Sequence, residues 1–137
     1  KFNNDFLPEN DCGKLSLQKI DNIQIENLNF SYNENKQILN NINIKVDSND
    51  KIAIIGKTGS GKTTLVNLLC RFYELKDGTI KINGQDYKKY ELSDLREQIG
   101  YVMQDVVIFE GNVFENINYA NKKVSEEEII NICKIKL

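Results

Sequence analysis

Residues 56–63 read Gly56-Lys57-Thr58-Gly59-Ser60-Gly61-Lys62-Thr63, a full phosphate-loop pattern G-x-x-x-x-G-K-[ST]. Glycines let such a loop curl so that successive N–H groups turn inward toward phosphate oxygens. The helix that follows offers its positive N-terminal end to the same anion. The flanking residues fit: Lys51-Ile52-Ala53-Ile54-Ile55 has the pattern of a short buried strand, and Leu65, Leu68, Leu69 and Phe72 recur at i, i+3, i+4 and i+7. Strand, glycine loop and helix in that order predict an α/β fold that holds a nucleoside triphosphate. The candidate cradle is Thr58, Gly59, Ser60, Gly61, Lys62, Thr63 and Thr64. Lys62 is placed to reach the β- and γ-phosphates, and the Thr63 hydroxyl to ligate Mg²⁺.

The chain has 137 residues, 40% of them hydrophobic, which suits one domain, or part of one, with a real core. Its net charge of −2 lacks the strong basic excess by which nucleic-acid binding usually announces itself, so no nucleic-acid partner is expected. Cys12, Cys70 and Cys133 are odd in number and show no C-x-x-C spacing. Neither a disulfide framework nor a zinc site is suggested, and a reduced, cytoplasmic setting is expected. Cys70, beside the leucine stripe, reads as a small core residue. No run approaches the roughly 18 apolar residues of a membrane span, and no signal peptide is visible. A membrane anchor, if the protein has one, is expected outside this sequence.

Residues 1–20 contain the single proline, Pro8, and resist periodic assignment, which suggests a linker. Ile23 and Ile25 alternate, the phase shifts near Glu26-Asn27, and Leu28, Phe30 and Tyr32 resume it, as in a strand with a bulge. Ile42, Ile44 and Val46 predict a second strand, with the turn at Asn33-Glu34-Asn35. Thr79 to Asn83 predicts a third, ended by the tight-turn pair Asn83-Gly84. Ser93 to Gln98 fits a short helix stopped at Gly100, and Ile99 to Met103 a strand with Gln104 at its carboxyl end, where ligands collect in open α/β sheets. Ser125 and Glu128 form a capping box with a Val124/Ile129 staple, which starts a helix near Glu126. Ile130, Cys133 and Leu137 would line one face of it.

A phosphate loop alone does not name a reaction. Three further stretches do more. Asn29-Phe30-Ser31-Tyr32 resembles an A-loop; Leu68-Leu69-Cys70-Arg71-Phe72-Tyr73 followed by Asp77-Gly78-Thr79-Ile80-Lys81-Ile82-Asn83-Gly84 resembles the segment after the phosphate loop; and Ile99 to Ile117 resembles a Q-loop with its exporter-type continuation. In that order, from about Ile23 to the C-terminus, the chain resembles the nucleotide-binding domain of ABC transporters of the exporter type. The resemblance implies a P-loop NTPase core with an N-terminal antiparallel β subdomain and a helical subdomain only begun. It divides the chain into a linker over 1–20, leading from a membrane domain, and a partial nucleotide-binding domain over 21–137. By the same likeness Tyr32 stacks on adenine, and Gln104 touches Mg²⁺ and the attacking water as the catalytic candidate. Stacking needs only a flat ring, so Tyr32→Phe is expected to keep affinity that Tyr32→Ala loses. The implied ligands are ATP and Mg²⁺. The implied partners are a membrane-spanning domain of the same transporter and a second nucleotide-binding domain, expected to form a homodimer, at the cytoplasmic face of a membrane. Peptide, lipid and drug exporters fit alike, because in the family the membrane domain selects the cargo.

The sequence holds no LSGGQ-type signature, no convincing Walker-B Asp-Glu pair and no histidine. It is therefore expected to be an N-terminal piece that binds nucleotide without turning it over, and that either self-associates or is marginally stable. Two rival readings fit parts of the sequence. Val102-Met103-Gln104-Asp105 can be taken as an apolar strand ending in a Mg²⁺-binding acid. A soluble phosphate-loop kinase or regulatory nucleotide sensor is the other, but a kinase usually clamps the moving phosphoryl group with several arginines, and the chain has only Arg71 and Arg96.

Overall fold

The change of phase in the first strand is resolved by a bulge. In the computed structural model, which describes residues 12–33, 36–105, 107–119 and 124–134, strand β1 spans Asn22–Ser31. Ile25 and Leu28 are three apart and would fall on opposite faces of a regular strand. Asn27 takes a left-handed φ of 49°, the register against β2 shifts between Ile25 and Leu28, and both side chains reach the core, at 3% and 0% exposure. The bulge thus keeps the apolar set on one face.

Strand β2, Gln37–Asp47, begins earlier than its Ile42/Ile44/Val46 alternation alone predicts and pairs antiparallel with β1. Strand β3, Asp77–Ile82, pairs with the other edge of β1. It turns through Asn83 and Gly84, at φ 51° and 77°, into β4, Gln85–Asp86. Two consecutive positive φ values are what a tight hairpin of this hand requires. The sheet order is β2-β1-β3-β4, all antiparallel. Helices α1, Lys62–Leu69, and α2, Leu92–Glu97, give Leu65, Leu68 and Leu95 to a core shared with Leu28, Ile80 and Ile82. Tyr87 lies in the same core at 1% exposure; burial above all, with Asp86 and Glu74 adding to it against Arg71, pushes its phenol up to about 12.

The part of the expected linker that is described is docked. Lys14 and Leu15 donate N–H bonds to the Lys89 carbonyl, Glu91 returns one to the Leu15 carbonyl, and Leu17 is buried at 5% exposure. Asp94 on α2 accepts from the Ser16 hydroxyl at 2.7 Å and from the Leu17 N–H at 3.0 Å. Asn83 accepts from the N–H groups of Asp21 and Asn22 and donates to the Lys19 carbonyl. The Ser16 hydroxyl first, then the Leu17 N–H, hold the Asp94 carboxyl below its ordinary range. A carboxyl depressed in the folded state contributes stability that is complete above the unfolded value of about 3.9 and is lost as pH falls through the folded value. The protection factor of the Leu17 amide in hydrogen exchange should therefore hold at neutral pH and collapse only in acid, whereas Asp94→Asn should lower it already at neutral pH. Equal protection in the variant would remove Asp94 as the anchor.

The chain separates into two compact units, Lys1–Gly100 and Tyr101–Leu137. In the second, α3 spans Val113–Ile117 behind a capping box in which Asn112 accepts from the Glu115 N–H and Glu115 from that of Asn112. This Asn-x-x-Glu signal is legible in the sequence but is not among the helices predicted there. Helix α4, Glu126–Lys134, starts as expected, with Ser125 and Glu128 bonded reciprocally. Its buried residue is Ile129, at 5% exposure, and not Ile130, which is 45% exposed. With Ser125 as N-cap, Ile129 stands at the fourth helical position, the one a staple with Val124 buries. Cys133 is exposed, and Leu137 lies outside the described residues.

Two predicted strands do not form ladders. Residues 51–55 and 99–103 carry no regular strand, and Ile55 and Val102 are 93% and 91% exposed. A continuous apolar run suits a strand covered on both faces, and it becomes one only beside a hydrogen-bonding neighbour. Among the described residues no strand pairs with either run.

Candidate nucleotide-binding site

The loop between residue 56 and α1 is exposed over 56–60 and closed by a turn in which Ser60 donates its N–H to the Lys57 carbonyl at 3.2 Å. Gly61, left-handed at φ 92°, is the N-cap of α1; no side chain caps the helix and no acidic residue stands in its first turn. The first-turn N–H groups therefore lack an acidic competitor for an anion, which is the electrostatic condition for binding phosphate at a helix N-terminus. Lys62 folds back over the loop, its Nζ donating to the carbonyls of Gly56 at 2.7 Å and Lys57 at 2.9 Å. An ammonium has three donors, so one remains for a phosphate oxygen while the other two fix its position.

Thr63 is exposed at the start of α1, whereas Thr64 is buried. The Thr64 Oγ1 lies 3.0 Å from the Tyr32 hydroxyl. This pair, 32 residues apart, ties the end of β1 to the first turn of α1. Sequence reasoning named both residues but not the bond, because nothing local in either segment signals it. Tyr32 is 49% exposed and meets two rings edge to face, Phe30 at 5.1 Å between centroids and Tyr73 at 4.9 Å. Tyr32, Lys62, Thr63 and Thr64, with the loop residues Thr58, Gly59, Ser60 and Gly61, all belong to the first unit. Gln104 belongs to the second, exposed on a bend beside Asp105.

Both arginines are engaged in the fold. Arg96 donates to the carbonyls of Cys70 and Arg71, satisfying groups at the C-terminal end of α1 that a helix leaves open. Its guanidinium also lies 5.2 Å from the Phe72 ring. Arg71 donates to the Tyr90 carbonyl at 2.9 Å. Cys70 is buried as expected, and burial raises its thiol above the ordinary value, against a smaller lowering by Arg96. A thiol so placed is a core residue and a poor nucleophile.

The donor set fits Mg²⁺ held jointly with a nucleotide. Among the described residues no group of three or more His, Cys, Asp or Glu side chains could hold a metal by itself. Mg²⁺ usually takes one or two protein oxygens and completes its shell with water and substrate phosphates. The exposed Thr63 hydroxyl is such an oxygen. No helix among the described residues is long and apolar enough to cross a membrane.

A family model described as ABC transporter matches residues 39–136. The ABC transporter B family member 24, mitochondrial, of Arabidopsis thaliana is 41% identical over 112 residues, which cover 82% of this chain and 16% of that protein. The mitochondrial iron-sulfur clusters transporter ABCB7 of Oryzias latipes is 40% identical over 113 residues, 82% of this chain and 15% of that one. Among solved structures, a bacterial Atm1-family ABC exporter with ATP bound matches with a TM-score of 0.81 and 32% identity, covering 89% of this chain and 21% of its own. The chain thus spans between 15% and 21% of the lengths of these relatives.

Proposed function

Because the chain belongs to the ABC transporter family, we propose that it is the ATP-binding part of an exporter, in which ATP binding and hydrolysis by the whole protein drive a substrate across a membrane. The observation that carries this reading is the first turn of α1. It presents the Lys62 ammonium, held by two loop carbonyls, and through Thr64 it is bonded to the exposed ring of Tyr32. One turn of helix thus serves both ends of a nucleotide, the triphosphate by charge and N–H groups and the purine by a flat ring. Mg²⁺, when bound, neutralises charge on the phosphates; Thr63 is the residue offered to it. The relatives matched are transporters, and the soluble kinase or sensor alternative is set aside.

In the whole protein, Gln104 is proposed to contact Mg²⁺ and the attacking water, with the segment after it conveying the ATP state to a membrane-spanning domain. A second nucleotide-binding domain is the other proposed partner, and the site then works at the cytoplasmic face of the membrane. Gln104→Ala should spare ATP binding and slow turnover there.

Calorimetric titration with Mg²⁺ and either ATP or inorganic tripolyphosphate separates the two ends of the site. Tyr32→Ala should weaken ATP by roughly 1–3 kcal/mol, the range of base–aromatic stacking, and leave tripolyphosphate unchanged. Tyr32→Phe keeps the ring, so it should keep the affinity for ATP, while the lost bond to Thr64 should cost about 1 kcal/mol of folding stability. If Tyr32→Ala weakens both ligands equally, the ring is not the base platform.

A further inference from the structure

Tyr73 lies beyond the end of α1, 39% exposed, in a stretch that sequence reasoning treats as structural. Its ring stands 4.9 Å from that of Tyr32 at an interplanar angle of 79°. Phe30 stands 5.1 Å from Tyr32 at 86°, and Phe30 and Tyr73 are themselves 6.0 Å apart at 60°. The three rings close a triangle around one side chain. Tyr32 follows directly after the last residue of β1, so no strand ladder orients it. Side-chain contacts must set its ring plane: the hydroxyl is fixed by Thr64, and the tilt about that anchor is fixed by the two rings packed edge to face.

We infer that Tyr73 is a positioning residue for purine stacking, holding the plane of the Tyr32 ring before a nucleotide arrives. The inference rests on the proposal that Tyr32 is the base platform. A side chain already ordered loses less freedom when its ligand binds, so preorganisation appears as affinity. Phe30 contributes to the same triangle but sits inside β1 and packs on the core, so its removal would disturb the fold. Tyr73 stands outside every helix and strand, and among the described residues its ring partners are Phe30 and Tyr32. Its effect on binding is therefore separable from its effect on folding.

The test is calorimetry on the 137-residue chain with Mg²⁺ and ATP or inorganic tripolyphosphate, for the parent, Tyr73→Phe, Tyr73→Leu, Tyr32→Ala and the Tyr32→Ala/Tyr73→Leu pair. Tyr73→Leu is expected to weaken ATP about 2- to 10-fold, the size of an aromatic pair contact, with tripolyphosphate unchanged. Tyr73→Phe should match the parent, and Tyr73→Leu should add nothing once Tyr32 is alanine. A merely structural Tyr73 would lower both ligands together. That result, an unchanged ATP affinity in Tyr73→Leu, or additive losses in the pair would overturn the inference. Should Tyr32→Ala keep the parent's ratio of ATP to tripolyphosphate affinity, or the parent bind no ATP, the base-platform proposal fails first and this inference with it. A Tyr32→Ala effect without a Tyr73→Leu effect removes the inference alone.

Discussion

Lys62→Ala should weaken ATP binding about 10- to 150-fold, because a hydrogen bond to a charged group contributes roughly 1.5–3 kcal/mol. The loss should be specific to binding. The carbonyls of Gly56 and Lys57 that accept from the Lys62 ammonium lie in an exposed loop, so water replaces the lysine there and no buried acceptor is left unpaired. Stability should change by no more than about 0.5 kcal/mol, as for an ordinary surface substitution. Lys62→Arg gives a second reading of the same contact. It keeps the charge but brings a planar fork where the loop holds a compact ammonium, and recovery should be partial. Tripolyphosphate should follow ATP in both variants, since the lysine serves the phosphates and not the base. An unaltered ATP dissociation constant in Lys62→Ala, in a chain with the parent's denaturation midpoint, would refute the phosphate-loop assignment.

What the sequence discloses of this fold is its local chemistry. Asn83-Gly84 adopts the paired positive φ values that its residue types favour, the phase shift at Glu26-Asn27 becomes a bulge, and Ser125 with Glu128 starts α4. Each depends on residues a few positions apart, where side chain and backbone meet whatever the rest of the molecule does. Contacts between distant segments are hidden. Nothing near Ser16 or Leu17 announces Asp94, 78 and 77 residues on, so the docking of this segment is not legible in it. The bond from Tyr32 to Thr64 is hidden for the same reason. Lys51–Ile55 marks the converse limit: an apolar run records a preference for burial, but strand formation is a property of pairs, and the run by itself cannot supply the neighbour.

Gly61→Ala should destabilise the first unit more than Gly59→Ala, although both glycines sit in the same loop with φ near the same value, 92° and 81°. The backbone cost of a Cβ in the left-handed region, about 1–2 kcal/mol, applies to both. The surroundings differ. A Cβ at Gly59 meets nothing within 4 Å, whereas one at Gly61 would lie 2.6 Å from Leu39 Cδ2 and 3.2 Å from both Ile38 Cγ2 and the Ile38 carbonyl oxygen. Leu39 is a core residue at 4% exposure, so its methyl cannot swing out to solvent and must repack. Overfilling a packed core costs typically 1–3 kcal/mol, which puts Gly61→Ala at roughly 2–5 kcal/mol in total. Urea denaturation should show a lower midpoint for Gly61→Ala than for Gly59→Ala at a common slope. Binding should fall with it, because Gly61 is the N-cap of α1 and a shift of that cap displaces Lys62 and Thr64 together. If the two variants lose equal stability, the Leu39 contact costs nothing and only backbone strain constrains the loop. If Gly61→Ala loses stability but keeps the parent's affinity for tripolyphosphate, the seat of α1 against β2 does not set the phosphate geometry.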